Sequence, residues 1–244
     1  MKKPVFVVVA SLASLAVSVP AQAEKRAKVF VNGTYGMETA EYSHATTSTQ
    51  FLEEASFSSD HSADPVLGGE MGLQYNVTQR LGLRASYAFA NRDLTASYAA
   101  QLPHPFFFDT HREVAGDVTE LSYKESAGRL DVVLIAVSEP VEISVFAGLA
   151  MLQVEADLIE GIDFSEAYPY DTVTVESTNT SALTDTAIGF DAGVSLDFML
   201  TESFGVGAEF RYSGATAELI PAEGEPIELD LGGPEAAIGI RFAF

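Results

Sequence analysis

The chain has 244 residues, no cysteine and no tryptophan, and its 35 acidic residues against 13 basic ones give a formal net charge of −22. This length fits one domain or at most two, and the lack of cysteine excludes disulfides, thiolate metal sites and a cysteine nucleophile. So acidic a surface repels nucleic acid, so that we expect no nucleic-acid partner, whereas divalent cations are candidate ligands of its acidic segments.

The chain begins with a pattern typical of secretory signals. Two lysines precede an apolar run from Val5 to Val19, and Pro20 is followed by Ala21-Gln22-Ala23, a small-x-small cleavage pattern. We predict a cleaved signal peptide over residues 1–23 and one domain over 24–244. An uncleaved membrane anchor is the alternative, for which the run is short. No later apolar stretch approaches the roughly 18 residues of a membrane helix, so strands would have to span any membrane.

Eight later segments alternate apolar with small or polar side chains at a period of two, which predicts β-strands. They cover 28–37, 70–77, 81–90, 129–136, 142–151, 188–198, 204–212 and 235–244. Leu121 and Tyr123 have the opposite parity to Leu130 and Val132, which predicts a bulge near Ala127-Gly128.

The connectors between these segments alternate in length. Short ones lie at 78–79, 138–140 and 201–203, and long polar ones at 40–64, 95–117, 155–182 and 217–232. This alternation predicts an up-and-down antiparallel meander. Residues 78–87 (TQRLGLRASY) and 201–210 (TESFGVGAEF) form a weak internal repeat, each starting a strand after a short connector.

Alternation alone leaves two orientations open, a soluble lipocalin-like barrel with its apolar face inside or a membrane barrel with that face in lipid. The opposite face is rich in Gly, Ala and Ser, and the apolar faces carry no charge. The regular segments have about the 9–11 residues of a membrane-crossing strand. No lysine or arginine occurs between Asp131 and Phe210. We therefore predict an all-β fold, an eight-stranded antiparallel up-and-down transmembrane β-barrel.

The C-terminal segment AAIGIRFAF resembles the recognition segment of bacterial outer-membrane barrels, with Gly239, Phe242 and Phe244 at the matching positions and Ala237 departing from the pattern. With the signal and the eight segments, the chain resembles the small barrel family that includes the OmpA-like barrel domain, OmpX-like and opacity-type proteins. The resemblance implies residence in the Gram-negative outer membrane, insertion by its assembly machinery, contact with lipid and lipopolysaccharide, and a monomer. No periplasmic domain is expected.

The resemblance implies a structural and surface-interaction role in the envelope. A narrow porin for ions or small solutes is the alternative, and a barrel enzyme acting on lipid or peptide is a third reading. We expect no enzymatic activity, cofactor or metal site. The four histidines, His44, His61, His104 and His111, fall in the first two long connectors and match no ligand spacing, so we expect exposed loop histidines.

Strand parity also predicts which charged residues face the lumen. These are Glu70, Arg84, Arg129, Asp131, Glu142, Glu209, Arg211, Glu235 and Arg241. In so narrow a lumen they should form one ion-pair network, either an inert plug or a gate. A candidate contact site is the aromatic run Phe106, Phe107 and Phe108 in the second long connector. It would bind a partner, or else cap the barrel mouth or touch the lipid headgroup region.

Overall fold

The computed structural model describes residues 27–137 and 141–244. Ten β-strands run through them: β1 (Ala27–Gly36), β2 (Ala40–Gln50), β3 (Glu53–Ala63), β4 (Val66–Asn76), β5 (Leu81–Pro103), β6 (His111–Val137), β7 (Val141–Glu166), β8 (Val173–Met199), β9 (Phe204–Leu219) and β10 (Ile227–Ala243). Within these residues, no helix has the length and apolarity needed to cross a membrane. The predicted signal peptide and the predicted connector at 138–140 lie outside the described residues.

Eight strands close into a ring in the order β1, β4, β5, β6, β7, β8, β9 and β10, and each neighbouring pair is antiparallel. The first and last strands complete it: Val31 lies opposite Ile240, and Ala27 and Phe244 exchange backbone hydrogen bonds of 3.2 and 2.9 Å. Closure gives both strands a partner on each side. The predicted eight-stranded antiparallel up-and-down barrel is confirmed.

The predicted long polar connectors are mostly strand, and the prediction of loops there is wrong. The first forms the β2–β3 hairpin, in which β3 pairs with the distal part of β5, as at Ser59 opposite Tyr98. The others lengthen the ring strands, so that β7 reaches Glu166 and β8 begins at Val173. The sequences of these extensions resemble those of loops because their outer faces are rich in Ser, Thr and acidic residues.

The barrel has two halves that differ in which face is apolar. The lower half, at the end of the short turns, comprises the described residues of 27–37, 66–90, 126–151, 188–213 and 234–244. The upper half comprises 38–65, 91–125, 152–187 and 214–233. Outward side chains of the lower half are apolar and exposed, as Leu130 at 67% and Ile188 at 79% show. The buried leucines of the upper half point inward, among them Leu94, Leu102, Leu121, Leu152, Leu158, Leu219 and Leu229.

This inversion corrects the predicted bulge at Ala127-Gly128. The β5–β6 ladder is regular there, with Ala88 opposite Ala127, and its register shifts farther up, between Leu94 and Ala96. Leu121 and Tyr123 are buried on the same inward parity as Arg129. Along β6 the apolar side chains thus move from the outer face to the inner face because the surroundings of the two halves differ. No shift of register at Ala127-Gly128 is involved.

The internal repeat is explained by turn chemistry at the lower end. The hydroxyl of Thr78 accepts hydrogen bonds from the backbone N–H groups of Arg80 and Leu81, and that of Thr201 accepts them from Ser203 and Phe204. Such hydroxyl-to-backbone bonds favour tight turns. Both threonines therefore close the same kind of turn below an ascending strand.

Candidate functional site

The interior of the lower half holds a cluster of charged side chains. The structure places all nine predicted lumen residues there, with Glu142 and Glu235 partly buried and the other seven buried. Their inward direction follows from strand parity, because the outward positions carry the apolar side chains.

Arg211 on β9 lies at the centre of this cluster. Its guanidinium is 2.9 Å from the carboxylate of Glu70, 2.8 Å from that of Glu209 and 3.4 Å from that of Glu235. Glu209 lies two residues away on β9 and Glu235 lies directly opposite on the neighbouring β10, whereas Glu70 on β4 meets Arg211 across the lumen. Arg84 binds Glu209 at 2.6 Å, and Arg129 lies 3.6 Å from both Glu70 and Glu235.

The network continues toward the lower end through Arg241 and through Lys28 and Asp197, which the prediction omitted. Arg241 binds Glu209 at 2.7 Å and Asp197 at 2.8 Å. Lys28 binds Asp197 at 2.7 Å and Glu142 at 2.8 Å. Lys28, Asp191 and Asp197 all share the inward parity, so the sequence signal was available for them. Asp131 is buried opposite Arg84 in the β5–β6 ladder.

Two phenylalanines fill the space between the arginines. The Arg84 guanidinium lies 4.1 Å from the ring centre of Phe30 and 4.7 Å from that of Phe146. Arg241 also faces Phe30, and Arg211 also faces Phe146, at 5.3 Å each. Cations over aromatic faces are attracted by the ring electrons. A packed layer therefore crosses the lumen, formed by the side chains of Phe30, Arg84, Phe146, Arg211 and Arg241.

A small cavity lies above this layer. A cavity of about 40 Å³, lined in part by Arg92, Glu125, Arg129 and Glu235, lies where the two halves meet. Such a volume holds a few water molecules. Above it the apolar core of the upper half begins, with Leu94, Leu152 and Leu158 fully buried.

The predicted assembly segment forms the lower part of β10. A Cβ atom at Gly239 would collide with the carbonyl oxygen of Val31 on β1, so the close approach of the closing strands requires glycine there. Phe242 and Phe244 point outward and are about half exposed, and Phe242 packs edge-on against Phe204 at 5.2 Å. Recognition of this segment by assembly machinery stays a prediction.

The β2–β3 hairpin docks on β7 through buried polar groups in the upper half. Tyr42 donates its hydroxyl hydrogen to the carbonyl oxygen of Asp157 at 2.6 Å, and Ser59 donates to that of Ile159 at 2.9 Å. The backbone N–H of Ile159 donates to Nε2 of His61 at 3.2 Å, and the His61 ring stacks on Tyr42 at 4.6 Å. Burial lowers the pKa of His61 to about 4 and also lowers that of His44.

The expectation of exposed loop histidines is wrong for three of the four. His44 and His61 lie in β2 and β3 and are buried, and His104 is buried at the start of the β5–β6 loop. His111 is exposed, and its Nε2 lies 3.3 Å from the carbonyl oxygen of Glu54. Among the residues described, no group of three or more His, Asp or Glu side chains is arranged to hold a metal ion.

Phe106, Phe107 and Phe108 lie in the loop between β5 and β6, at the far end of the upper half. Their exposed fractions are 68%, 61% and 72%. The roles predicted for this aromatic run stay predictions.

A family model for the outer membrane protein β-barrel domain matches residues 8–228. The chain belongs to this family. The exposed apolar band of the lower half is accordingly the lipid-facing surface of an outer-membrane barrel, and the upper half projects beyond the membrane. A comparison with curated proteins finds no match.

Solved structures with a similar fold include the outer membrane protein OprG from Pseudomonas aeruginosa, at a TM-score of 0.53 and 9% identity over 91% of this chain and 97% of that one. Neisserial surface protein A gives 0.42 and 14%, covering 88% and 97%. The outer membrane protease OmpT from Escherichia coli gives 0.43 and 10%, covering 90% and 97%. The likeness to OprG supports the fold of this outer-membrane barrel.

Proposed function

We propose that this outer-membrane barrel is a closed membrane anchor that supports a rigid surface structure, with a structural and surface-interaction role in the cell envelope. The observation that carries the proposal is that the interior is filled at two successive levels. Ion pairs and the rings of Phe30 and Phe146 fill the lower half, and an apolar core fills the upper half. Eight strands leave little bore once side chains occupy it.

The partners that this role implies are outer-membrane lipid around the lower half, lipopolysaccharide around its upper rim, and the assembly machinery at Gly239, Phe242 and Phe244. Divalent cations on the acidic outer strands would bridge to lipopolysaccharide phosphates. The barrel would act as a monomer. We propose no catalytic step.

A narrow porin is the second candidate, and the charged lining of the lower half favours it. Recording in planar lipid bilayers separates the two. The proposed closed barrel gives no discrete conductance steps in the wild type. Stable steps in the wild type that grow in Arg211→Ala or Arg241→Ala would contradict the closed barrel and assign the network to a gate.

A further inference from the structure

The strand tips farthest from the lower end expose apolar side chains on three separate turns. Phe51 and Leu52 form the β2–β3 turn, with exposed fractions of 49% and 87%. Phe106, Phe107 and Phe108 lie on the β5–β6 loop, and Tyr168, at 87%, lies on the β7–β8 loop. We call these six residues the tip patch. Exposed apolar clusters of this kind mark interaction sites, whereas single exposed residues do not.

Hydrogen bonds and ion pairs tie the three turns together. The backbone N–H of Asp109 donates to the carboxylate of Glu53 at 2.6 Å, which joins the first two turns. Arg112 binds Glu166 at 2.7 Å and the carbonyl oxygen of Tyr170 at 3.2 Å, which joins the second to the third. The tip patch is thus organised before any partner arrives, which reduces the entropy lost on binding.

The second turn is also held internally by the buried His104. Its Nδ1 accepts hydrogen bonds from the backbone N–H groups of Phe106 and Phe107 at 3.1 and 3.2 Å. The ring of Phe106 lies edge-on to that of Tyr170 at 5.4 Å. These contacts fix the aromatic run in an exposed position.

The first turn keeps its apolar residues in an unfavourable backbone conformation. Phe51 and Leu52 have φ angles of 51° and 73°, where Asn and Gly are the favoured residues of a two-residue hairpin. The left-handed conformation is unfavourable for a residue with a side chain, because its Cβ comes too close to the following carbonyl oxygen. Exposed apolar residues held in this conformation point to a role in binding, since Asn-Gly would make a more stable turn.

Acidic side chains surround the tip patch and determine what it fits. They are Glu53, Glu54, Asp109, Glu113, Glu166 and Asp171. The basic residue Arg112 lies near them, but it is buried and its charge is paired with that of Glu166. This rim repels anionic lipid and lipopolysaccharide, and it repels a second copy of the same patch. We propose that the tip patch docks a protein partner that presents basic side chains around an apolar centre. The proposal rests on the surface-interaction role proposed above and assigns it a site.

A synthetic peptide of alternating Lys and Leu with one Trp serves as the probe, and a matched peptide with Glu in place of Lys serves as its control. The protein has no tryptophan, so Trp emission reports the peptide alone. We expect saturable binding of the basic peptide that weakens with added salt, and none of the acidic one. Binding should be about tenfold weaker in the triple variant Phe106→Ser, Phe107→Ser, Phe108→Ser.

Ile220→Ser is the matched control variant, because Ile220 is 70% exposed on the β9–β10 turn outside the tip patch. It should bind like the wild type. The double variant Phe51→Asn, Leu52→Gly should bind more weakly and yet unfold at a higher urea concentration, because the turn loses its strain. A merely structural role would not weaken binding while raising stability.

Equal binding by the triple variant, or equal binding of the acidic peptide, would overturn the proposal. So would phosphatidylcholine vesicles that bind the wild type and not the triple variant, because the tip patch would then contact a membrane. Bilayer conductance recorded on the same preparation tests the closed barrel separately from partner docking on the tip patch. A conducting wild type that binds the basic peptide would contradict the closed barrel alone.

Discussion

The two halves of the barrel share strands β5 to β10 and differ in which face of these strands is apolar. In the lower half, Leu130 and Ile188 face outward and Arg211 and Glu70 face inward. In the upper half, Leu94 and Leu158 face inward, while acidic and hydroxyl side chains face water. A strand carries either pattern equally well, because its alternate side chains point to opposite faces. The solvent around each half therefore decides which face is apolar.

The halves also differ in how their interiors are stabilised. Buried ions of the lower half depend on their partners, since an unpaired buried charge is costly. Apolar side chains of the upper half depend on close packing, since a cavity loses contacts on every side. The two interiors should consequently respond to different substitutions.

The largest expected effect is the loss of Arg211 from the lower interior. Arg211→Ala leaves Glu70, Glu209 and Glu235 short of a cation and should cost about 3–5 kcal/mol of unfolding free energy. Urea unfolding followed by the heat-sensitive gel shift of the folded barrel measures it. Adding Glu70→Gln should recover part of the loss, and strictly additive losses would contradict a coupled network.

The second largest effect is expected from a charge on the outer face, which should destabilise the lower half and not the upper half. Leu130→Lys puts an ammonium into the lipid-facing band and should cost about 2–4 kcal/mol. Ser97→Lys places the same group on the exposed outer face of the upper half and should change stability by less than about 0.5 kcal/mol. Folding yields into lipid vesicles test the pair, and equal tolerance of both lysines would contradict the inversion.

Acidification should loosen the docking of the β2–β3 hairpin in the upper half. The pKa of His61 is about 4 in the folded protein, below its ordinary value of 6.5, because burial disfavours the charged ring. The unfolded chain therefore takes up a proton first, and the docking of β2–β3 weakens as the pH falls from about 6.5 to about 4. Above that window this contribution to stability is constant.

Protease sensitivity of the β2–β3 hairpin as a function of pH measures this effect. His61→Phe should flatten the profile, with His44 leaving a residual slope in the same direction. His111→Gln is the control and should keep the wild-type profile, because His111 is exposed. A hairpin as protected at pH 4 as at pH 7 would rule out this role of His61.

The smallest expected effect lies in the turns of the lower end. Thr201→Ala removes the hydroxyl that accepts the N–H groups of Ser203 and Phe204 and should cost about 1 kcal/mol. Thr201→Ser keeps the hydroxyl and should cost less. Comparison of the urea midpoints of the two variants decides the matter, and identical midpoints would show that the hydroxyl contributes nothing.

The lower half was predictable because lipid imposes a strict pattern on it. Apolar residues such as Ile240 and Phe210 cannot lie elsewhere than on the outer face, which fixes the inward parity of their neighbours Arg241 and Glu209. The same parity places Lys28, Asp191 and Asp197 in the lumen. What parity leaves open is which charges pair, because that depends on side chains that meet across the lumen from distant strands.

The upper half was harder to predict because water tolerates polar strands that resemble loops. β3, with the sequence EEASFSSDHSA, has an outer face of Ser, Asp and Glu and an inner face that includes Phe57 and His61. Nor does the sequence indicate that Phe51 and Leu52 form a tight turn, since that position favours Asn and Gly. Their conformation follows from the pairing of β2 with β3.

The central claim, that the outer face changes from lipid-facing to water-facing along one strand, has a direct test on β7. The chain has no cysteine, so Leu149→Cys and Ser165→Cys each introduce a single thiol, on outward positions of the lower and upper halves. In lipid vesicles, a membrane-impermeant maleimide should label Ser165→Cys and leave Leu149→Cys unlabelled, while a lipid-soluble maleimide labels Leu149→Cys. Ready labelling of Leu149→Cys by the impermeant reagent would contradict the account.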